Sequence, residues 1–460
     1  MIFSSFEFII FFLFYFFLHY LLKLRLRVYL IIFGSLFFYA YWNPLYVFIP
    51  IFLALTAWFA SAWINNEKII NYKRFKLFLS LVILFLPLIF FKYSEFFITG
   101  IINIKNINLN WFPNSLPIGI SFITFTVIAY IIEVYKNQYP YETSFKTLLA
   151  YILFFPQLIA GPILRPHELI GQIKKPKKFS EGSFYFGFTL FTIGLIKKIF
   201  FADQIAKIID PIWSLPAEAS FYEILIAIYG FSVQIYMDFS GYIDMAVGLA
   251  LILGVKLPIN FNKPYLATSL IDFWRRWHIT LSAWLKDFIY IPLGGSRNGY
   301  ILQVRNLFIT MFIGGLWHGA GWNFLIWGGL HGFILGITHF FLKFNYKLKL
   351  HNKLKIFLTF NLVTFLWIFF RSENFSDSIF IINKLVTNSQ SLSNGTSINI
   401  FAFFLIIIPL VIHKYDNHAL IEKNIKKISP FAILPIMFIF CILGLFLNYN
   451  NSPAFIYFDF

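Results

Sequence analysis

Gly314-Gly315-Leu316-Trp317-His318-Gly319-Ala320-Gly321-Trp322 joins two apolar blocks, 301–317 and 322–342. Each block is near the roughly 20 residues that a helix needs to cross a bilayer. The stretch therefore reads as two membrane helices with one imidazole, His318, at their junction. Ionisable side chains at membrane depth are costly, and those retained there line a cavity or a reaction path. Histidine also exchanges a proton near neutral pH, which few side chains do. The plainer alternative is a buried imidazole hydrogen-bonded across a helix pair.

The same pattern extends along the chain. Of its 460 residues, 59% are hydrophobic, 22% are aromatic and only 12% are charged, where a soluble domain carries about a quarter charged residues. Further apolar blocks lie at 2–22, 28–43, 45–64, 77–94, 116–135, 147–164, 182–200, 221–253, 355–371, 398–413 and 430–449, with a break expected inside 221–253. They predict an all-α fold: a polytopic transmembrane helical bundle of roughly ten to thirteen spans, some of them re-entrant. Solid apolar runs, rather than alternation, argue against a transmembrane barrel. Residues 1–460 read as a single integral-membrane domain. The block 2–22 has no basic leader and no small-residue cleavage site, so it is expected to be a retained span.

The net charge of +17 is spread over short basic clusters between the apolar blocks. This is the signature of cytoplasmic loops in a multi-pass protein of the cytoplasmic (inner) membrane, and it argues against a nucleic-acid partner. Lys23, Arg25 and Arg27, then Lys68, Lys73, Arg74 and Lys76, then Lys174, Lys175, Lys177 and Lys178 mark inner loops. Lys343, Lys347, Lys349, Lys353 and Lys355 mark another, as do Lys423, Lys426 and Lys427. Both termini, including the tail 448–460, are then expected on the extracytoplasmic side. The one cysteine, Cys441, excludes an internal disulfide and a cysteine-rich metal site.

The segment 255–300 is less apolar and is expected to be amphipathic or re-entrant, facing the cytoplasm. It contains Asp272-Phe273-Trp274-Arg275-Arg276-Trp277-His278-Ile279-Thr280-Leu281-Ser282, followed by Lys286 and Arg297. Arginine presents a planar fork that suits phosphate oxygens. Tryptophan covers an adenine ring or sits at lipid headgroups. Arg275, Arg276, Lys286 and Arg297 are therefore candidate donor-binding residues, the alternative being an interfacial helix with snorkelling arginines. Asp238 and Asp244, in or beside a span, each need a partner. Phe155-Pro156-Gln157-Leu158-Ile159-Ala160-Gly161-Pro162 breaks an apolar run, lining a cavity or forming a proline kink. His331 reads as a partner of the site or a packing residue. No carboxylate accompanies His331 and His339 at ligand spacing, so no metal is expected.

Taken together, Leu116–Phe122, Phe155–Arg165, Gln234–Gly299 and Trp317–Gly319 resemble bacterial membrane-bound O-acyltransferases (MBOAT). The resemblance is nearest to the branch of alginate and peptidoglycan O-acetyltransferases and the D-alanyl transfer proteins of teichoic acid. It implies a ring of helices around a central funnel and tunnel, with the acyl donor entering from the cytoplasm. It implies that His318 is the catalytic histidine, that His278 is the second polar residue of the active site, and that Asp272–Trp277 flanks the tunnel. The donor would be acetyl-coenzyme A in the acetyl branch, or an acyl-carrier thioester in the D-alanyl branch. Ile291-Pro292-Leu293-Gly294-Gly295-Ser296-Arg297 looks more like the acetyl branch. The ending Pro453–Phe460 resembles that branch's aromatic ending, which makes Tyr457 either an acyl relay or an interfacial anchor. The implied partners are the lipid bilayer and a periplasmic polysaccharide O-acetyltransferase acting on peptidoglycan or an alginate-like polymer.

The chemistry so implied is O-acetylation of a cell-envelope polysaccharide. His318 would be general base towards a hydroxyl, with His278, Ser282 or backbone N–H groups on the developing oxyanion. Asp238, Asp272, Trp277, Trp317 and His331 would support the site. The alternatives are D-alanyl transfer, a lipid acceptor, or a transporter without chemistry. The paired broken helices common in transporters are not evident.

Overall fold

In lipid an apolar block satisfies its backbone only by closing every N–H···O=C bond within the segment. The computed structural model, which describes residues 1–102, 116–344, 350–387, 400–447 and 455–456, is helical accordingly, with no strand among the described residues. Among the described residues, seven helices are long and apolar enough to cross a membrane: Pro44–Asn65, Ile70–Tyr93, Glu181–Ser214, Phe221–Ile252, Trp322–Lys343, Asn352–Arg371 and Pro430–Leu447. An eighth forms if Ile400–Tyr415 and His418–Ile425, bent by 75°, are one broken span. The chain is a multi-span membrane protein. Tyr457, the tail residues 448–454 and 458–460, and Lys347 and Lys349 lie outside the described residues.

Three expected elements take a different form. The break expected inside 221–253 is absent, and Phe221–Ile252 is one helix of 32 residues. The block 182–200 continues to Ser214 through a π-helical turn at Lys197–Ala202. The block 147–164 is not a span but two short helices, Phe145–Leu153 and Phe155–Leu158, buried from Thr147 onward. Pro156 removes one donor at that break. The neighbouring backbone groups are satisfied by side chains: Phe155 N–H donates to Ser35 Oγ at 3.1 Å, and Gln157 Nε2 donates to the Tyr151 carbonyl at 2.7 Å. Irregular backbone at depth is thus paid for by burial in protein.

The chain divides into two compact units interleaved in sequence. The first comprises Met1–Leu195, Tyr242–Pro258 and Ser429–Ser452. Gly119, at φ +73°, starts its helix Ile120–Tyr135, and a Cβ there would lie 2.6 Å from the Leu158 carbonyl oxygen. Only glycine combines that left-handed backbone with so close an approach. In the same unit the buried Arg27 donates to the Lys177 carbonyl at 2.7 Å.

The second unit comprises Ile196–Gly241, Ile259–Ile428 and Pro453–Phe460. Within it the helices Tyr300–His318 and Trp322–Lys343 form a hairpin. A Cβ on Gly328 would meet the Met311 carbonyl oxygen and lie 3.0 Å from Gly315 Cα. Small residues here allow the main chains to touch, as membrane helix pairs require. Since both neighbours are main chain, Gly328→Ala is expected to cost about 1–3 kcal/mol through overpacking. The thermal unfolding midpoint of the purified protein measures this. Around the hairpin, Trp277, Trp327 and Trp367 are each buried to within 2%.

Candidate active site

His318 is the last residue of its helix, and the chain leaves it through extended backbone at Gly319 and Gly321 before the next helix begins. The imidazole is only 3% exposed. Three aromatic rings enclose it: Trp317 at 4.9 Å between centroids, Trp327 at 5.2 Å and Phe370 at 5.2 Å. His331 lies one turn beyond Trp327, and its ring is 4.7 Å from that indole. Trp274 Nε1 donates to His331 Nδ1 at 3.2 Å. That hydrogen bond places the proton of a neutral His331 on Nε2. His331 is therefore a polar partner in the wall shared with His318.

His278 begins the helix Ile279–Leu285 from a left-handed backbone conformation, φ +44°. Non-glycine residues rarely adopt it, and its surroundings must hold it there. The buried Asn260 supplies that hold. Its carbonyl accepts from Ile279 N at 3.0 Å, and its Oδ1 accepts from Thr280 N at 3.0 Å and Thr280 Oγ1 at 2.9 Å. The His278 ring stands edge-on to Phe239 at 4.7 Å and lies 5.9 Å from Trp317. Both imidazoles thus contact the Trp317 indole, which joins two sequence segments 40 residues apart into one wall.

The remaining expected site residues take separate places. Trp277 and Asp272 build the segment. Trp277 is fully buried among Phe261, Phe273 and Trp367. Asp272 accepts from Thr268 N at 3.0 Å and pairs with Arg276 Nε at 2.8 Å. Ser282 donates its hydroxyl to the Trp277 carbonyl at 3.3 Å, which spends the proton it would offer an oxyanion. Arg275, Lys286 and Arg297 are exposed.

Asp238 is buried, with Lys198 Nζ 2.8 Å from its Oδ1. Lys198 Nζ is also 2.8 Å from Asp203 Oδ1. The adjacent Lys197 turns to Asp416 at 2.7 Å, and Tyr236 donates its hydroxyl to the same carboxylate at 2.5 Å. Asn260, Phe239, Trp327, Lys198 and Asp203 were not singled out from the sequence. The lysine pair inside the apolar block 182–200 was a legible signal, by the same cost argument that identified His318.

The family model described as MBOAT, membrane-bound O-acyltransferase family, matches residues 132–373, more than half of the chain, including His278, His318 and His331. The chain belongs to this family. A peptidoglycan O-acetyltransferase of Helicobacter pylori is 37% identical to this acyltransferase over 392 residues, covering 77% of this chain and 73% of the relative. A probable alginate O-acetylase of Pseudomonas syringae pv. tomato is 40% identical over 389 residues, covering 81% of this chain and 73% of the relative. A teichoic acid D-alanyltransferase of Bacillus subtilis is 31% identical over 275 residues, covering 56% of this chain and 69% of the relative. The membrane-bound O-acyltransferase is thus an enzyme, and the alternative of a transporter without chemistry falls away. Among the described residues of this acyltransferase, no three His, Cys, Asp or Glu side chains are grouped to hold a metal ion.

Proposed function

We propose that this enzyme transfers an acetyl group from acetyl-coenzyme A, at the inner membrane, for O-acetylation of an extracytoplasmic polysaccharide. The observation that carries the reading is the junction of the hairpin, where His318 and His278 meet the same Trp317 ring inside the segment the family model matches. The acetyl transferases match more of the chain, at higher identity, than the D-alanyltransferase does. That difference favours acetyl over D-alanyl.

In the proposed step a hydroxyl oxygen attacks the thioester carbonyl carbon. A C–O bond forms, the C–S bond breaks, and the electron pair leaves with sulfur. A hydroxyl is a weak nucleophile until its proton is removed, and His318 takes that proton as general base. The imidazolium then returns it to the departing thiolate. His278 is assigned to the developing oxyanion. The first hydroxyl is assigned to Tyr457 on the extracytoplasmic side, from which a periplasmic partner enzyme would take the acetyl group to peptidoglycan or an alginate-like polymer.

Arg275, Lys286 and Arg297 are assigned to the donor phosphates, with Arg276 contributing from its Asp272 pair. Replacing all three exposed cations with alanine is expected to raise KM for acetyl-coenzyme A about ten- to a hundredfold while kcat stays near that of the parent. Steady-state kinetics at two ionic strengths measures this, because exposed charge pairs weaken as salt rises. The function itself is tested with the purified full-length protein, labelled acetyl-coenzyme A and, separately, a D-alanyl carrier thioester. Acetyl ester formation is expected. Ester formed only from the D-alanyl donor would overturn the acetyl assignment.

A further inference from the structure

The polar cluster around Lys198 has no part in the step above, and the chain's own ending meets it. Lys198 Nζ lies 2.8 Å from both Asp203 Oδ1 and Asp238 Oδ1, and all three side chains are buried. One ammonium therefore faces two carboxylates. Asp238 gains a second donor: the main-chain N–H of Ile456 reaches its Oδ2 at 2.8 Å, across 218 residues of sequence. Beside that bond, Phe455 is 1% exposed and its ring lies 5.8 Å from Phe239. Phe239 is the ring on which His278 stands, 4.7 Å away. A line of contacts thus runs from Phe455 through Phe239, His278 and Trp317 to His318.

Two features make this more than a packed terminus. A buried carboxylate is costly unless it is paired and hydrogen-bonded, and here the tail supplies one of its hydrogen bonds. The residues that grip Ile456 and Phe455, Asp238 and Phe239, are neighbours on one helix, and the second of them also supports His278. Holding the tail and building the histidine wall are therefore coupled through a single turn of Phe221–Ile252.

We infer that Asp238, paired with Lys198, is a positioning residue for the C-terminal segment, clamping the main chain at Ile456 and the Phe455 ring against the wall that carries His278. The clamp acts on the residue that precedes Tyr457 in the sequence. The inference rests on the proposed acyl transfer for its consequence, and on the geometry alone for the clamp. The ordering cost of presenting a hydroxyl to the base is then met before the donor arrives, which is how positioning raises a rate.

The test uses the full-length protein in phospholipid nanodiscs, as the parent and as Asp238→Asn, Phe455→Ala and His318→Ala. Hydrogen exchange of the C-terminal peptide is read alongside acyl-transfer kinetics. In the parent and in His318→Ala the tail amides are expected to be protected. In Asp238→Asn and in Phe455→Ala that protection falls about tenfold or more, as loss of a charge-assisted hydrogen bond or its packing partner requires. Exchange over Tyr300–Lys343 stays unchanged. The same two variants are expected to lose about tenfold or more in kcat with KM for the donor unchanged. A purely structural role would change exchange throughout the unit and leave the kcat of the folded fraction intact. Tail exchange that is already fast in the parent, or that is unaltered in both variants, overturns the clamp. Full transfer activity in His318→Ala with a protected tail would instead remove the catalytic reading and leave the clamp standing.

Discussion

His318→Ala is expected to lower the turnover of purified protein by about 10²–10⁴-fold, the range that a positioned general base supplies. The fall should appear equally in kcat and in kcat/KM, because the proton is removed in the transition state and not on binding. Burial makes this result interpretable. His318 is held by Trp317, Trp327 and Phe370 at the end of its helix, and the helix pairing depends on Gly315 and Gly328 rather than on the imidazole. Alanine leaves a hollow among three rings, and deletion of a buried group of this kind destabilises a protein by a few kcal/mol. The variant is therefore expected to insert and unfold cooperatively at a reduced midpoint while failing to make ester. Normal insertion with normal turnover would reject the assignment.

The second large effect concerns stability. Lys198 stands between Asp203 and Asp238 in a buried site. Lys198→Ala leaves two carboxylates facing each other without their cation, and breaking a buried ion pair from one side costs about 3–5 kcal/mol. The desolvation penalty of the orphaned charges is the source of that figure, not the attraction of the pair. Replacing all three side chains with apolar ones of similar volume, Lys198→Met with Asp203→Leu and Asp238→Leu, is accordingly expected to recover most of the lost stability. The two variants differ in a second way. The triple variant is stable but lacks the acceptor for Ile456 N–H, so it should fold well and still lose the clamp. Thermal unfolding of the three purified proteins decides the first point. A Lys198→Ala midpoint equal to the parent's would show that the cluster contributes nothing to stability.

Much of this was legible in the sequence because membranes impose simple rules. Apolar blocks announced the helices, and the cost of an ionisable group at depth singled out His318 and Asp238. The same rule applied to Lys197 and Lys198, inside the block 182–200, would have named the partners of Asp416 and Asp238. Other features had no local signal. The left-handed turn at His278 is set by Asn260, 18 residues away, through hydrogen bonds that no spacing announces. The break expected in 221–253 does not form. The helix runs on because Asp238 finds Lys198 and because Gly248 provides for close contact with Gly187 rather than a kink. The failure of 147–164 to span follows from Pro156 together with side-chain partners such as Ser35, distant in sequence. Ser282 was one of several candidate oxyanion donors, beside His278 and backbone N–H groups, and its hydroxyl donates to the Trp277 carbonyl.

The most direct test of His318 as the group that takes the hydroxyl proton is rescue of His318→Ala by a series of added imidazoles of graded basicity. The ester-forming rate of the variant is expected to rise with each, and to rise more steeply the more basic the imidazole, as general-base catalysis requires. Rescue that is indifferent to basicity, or a variant already as fast as the parent before any imidazole is added, would contradict it.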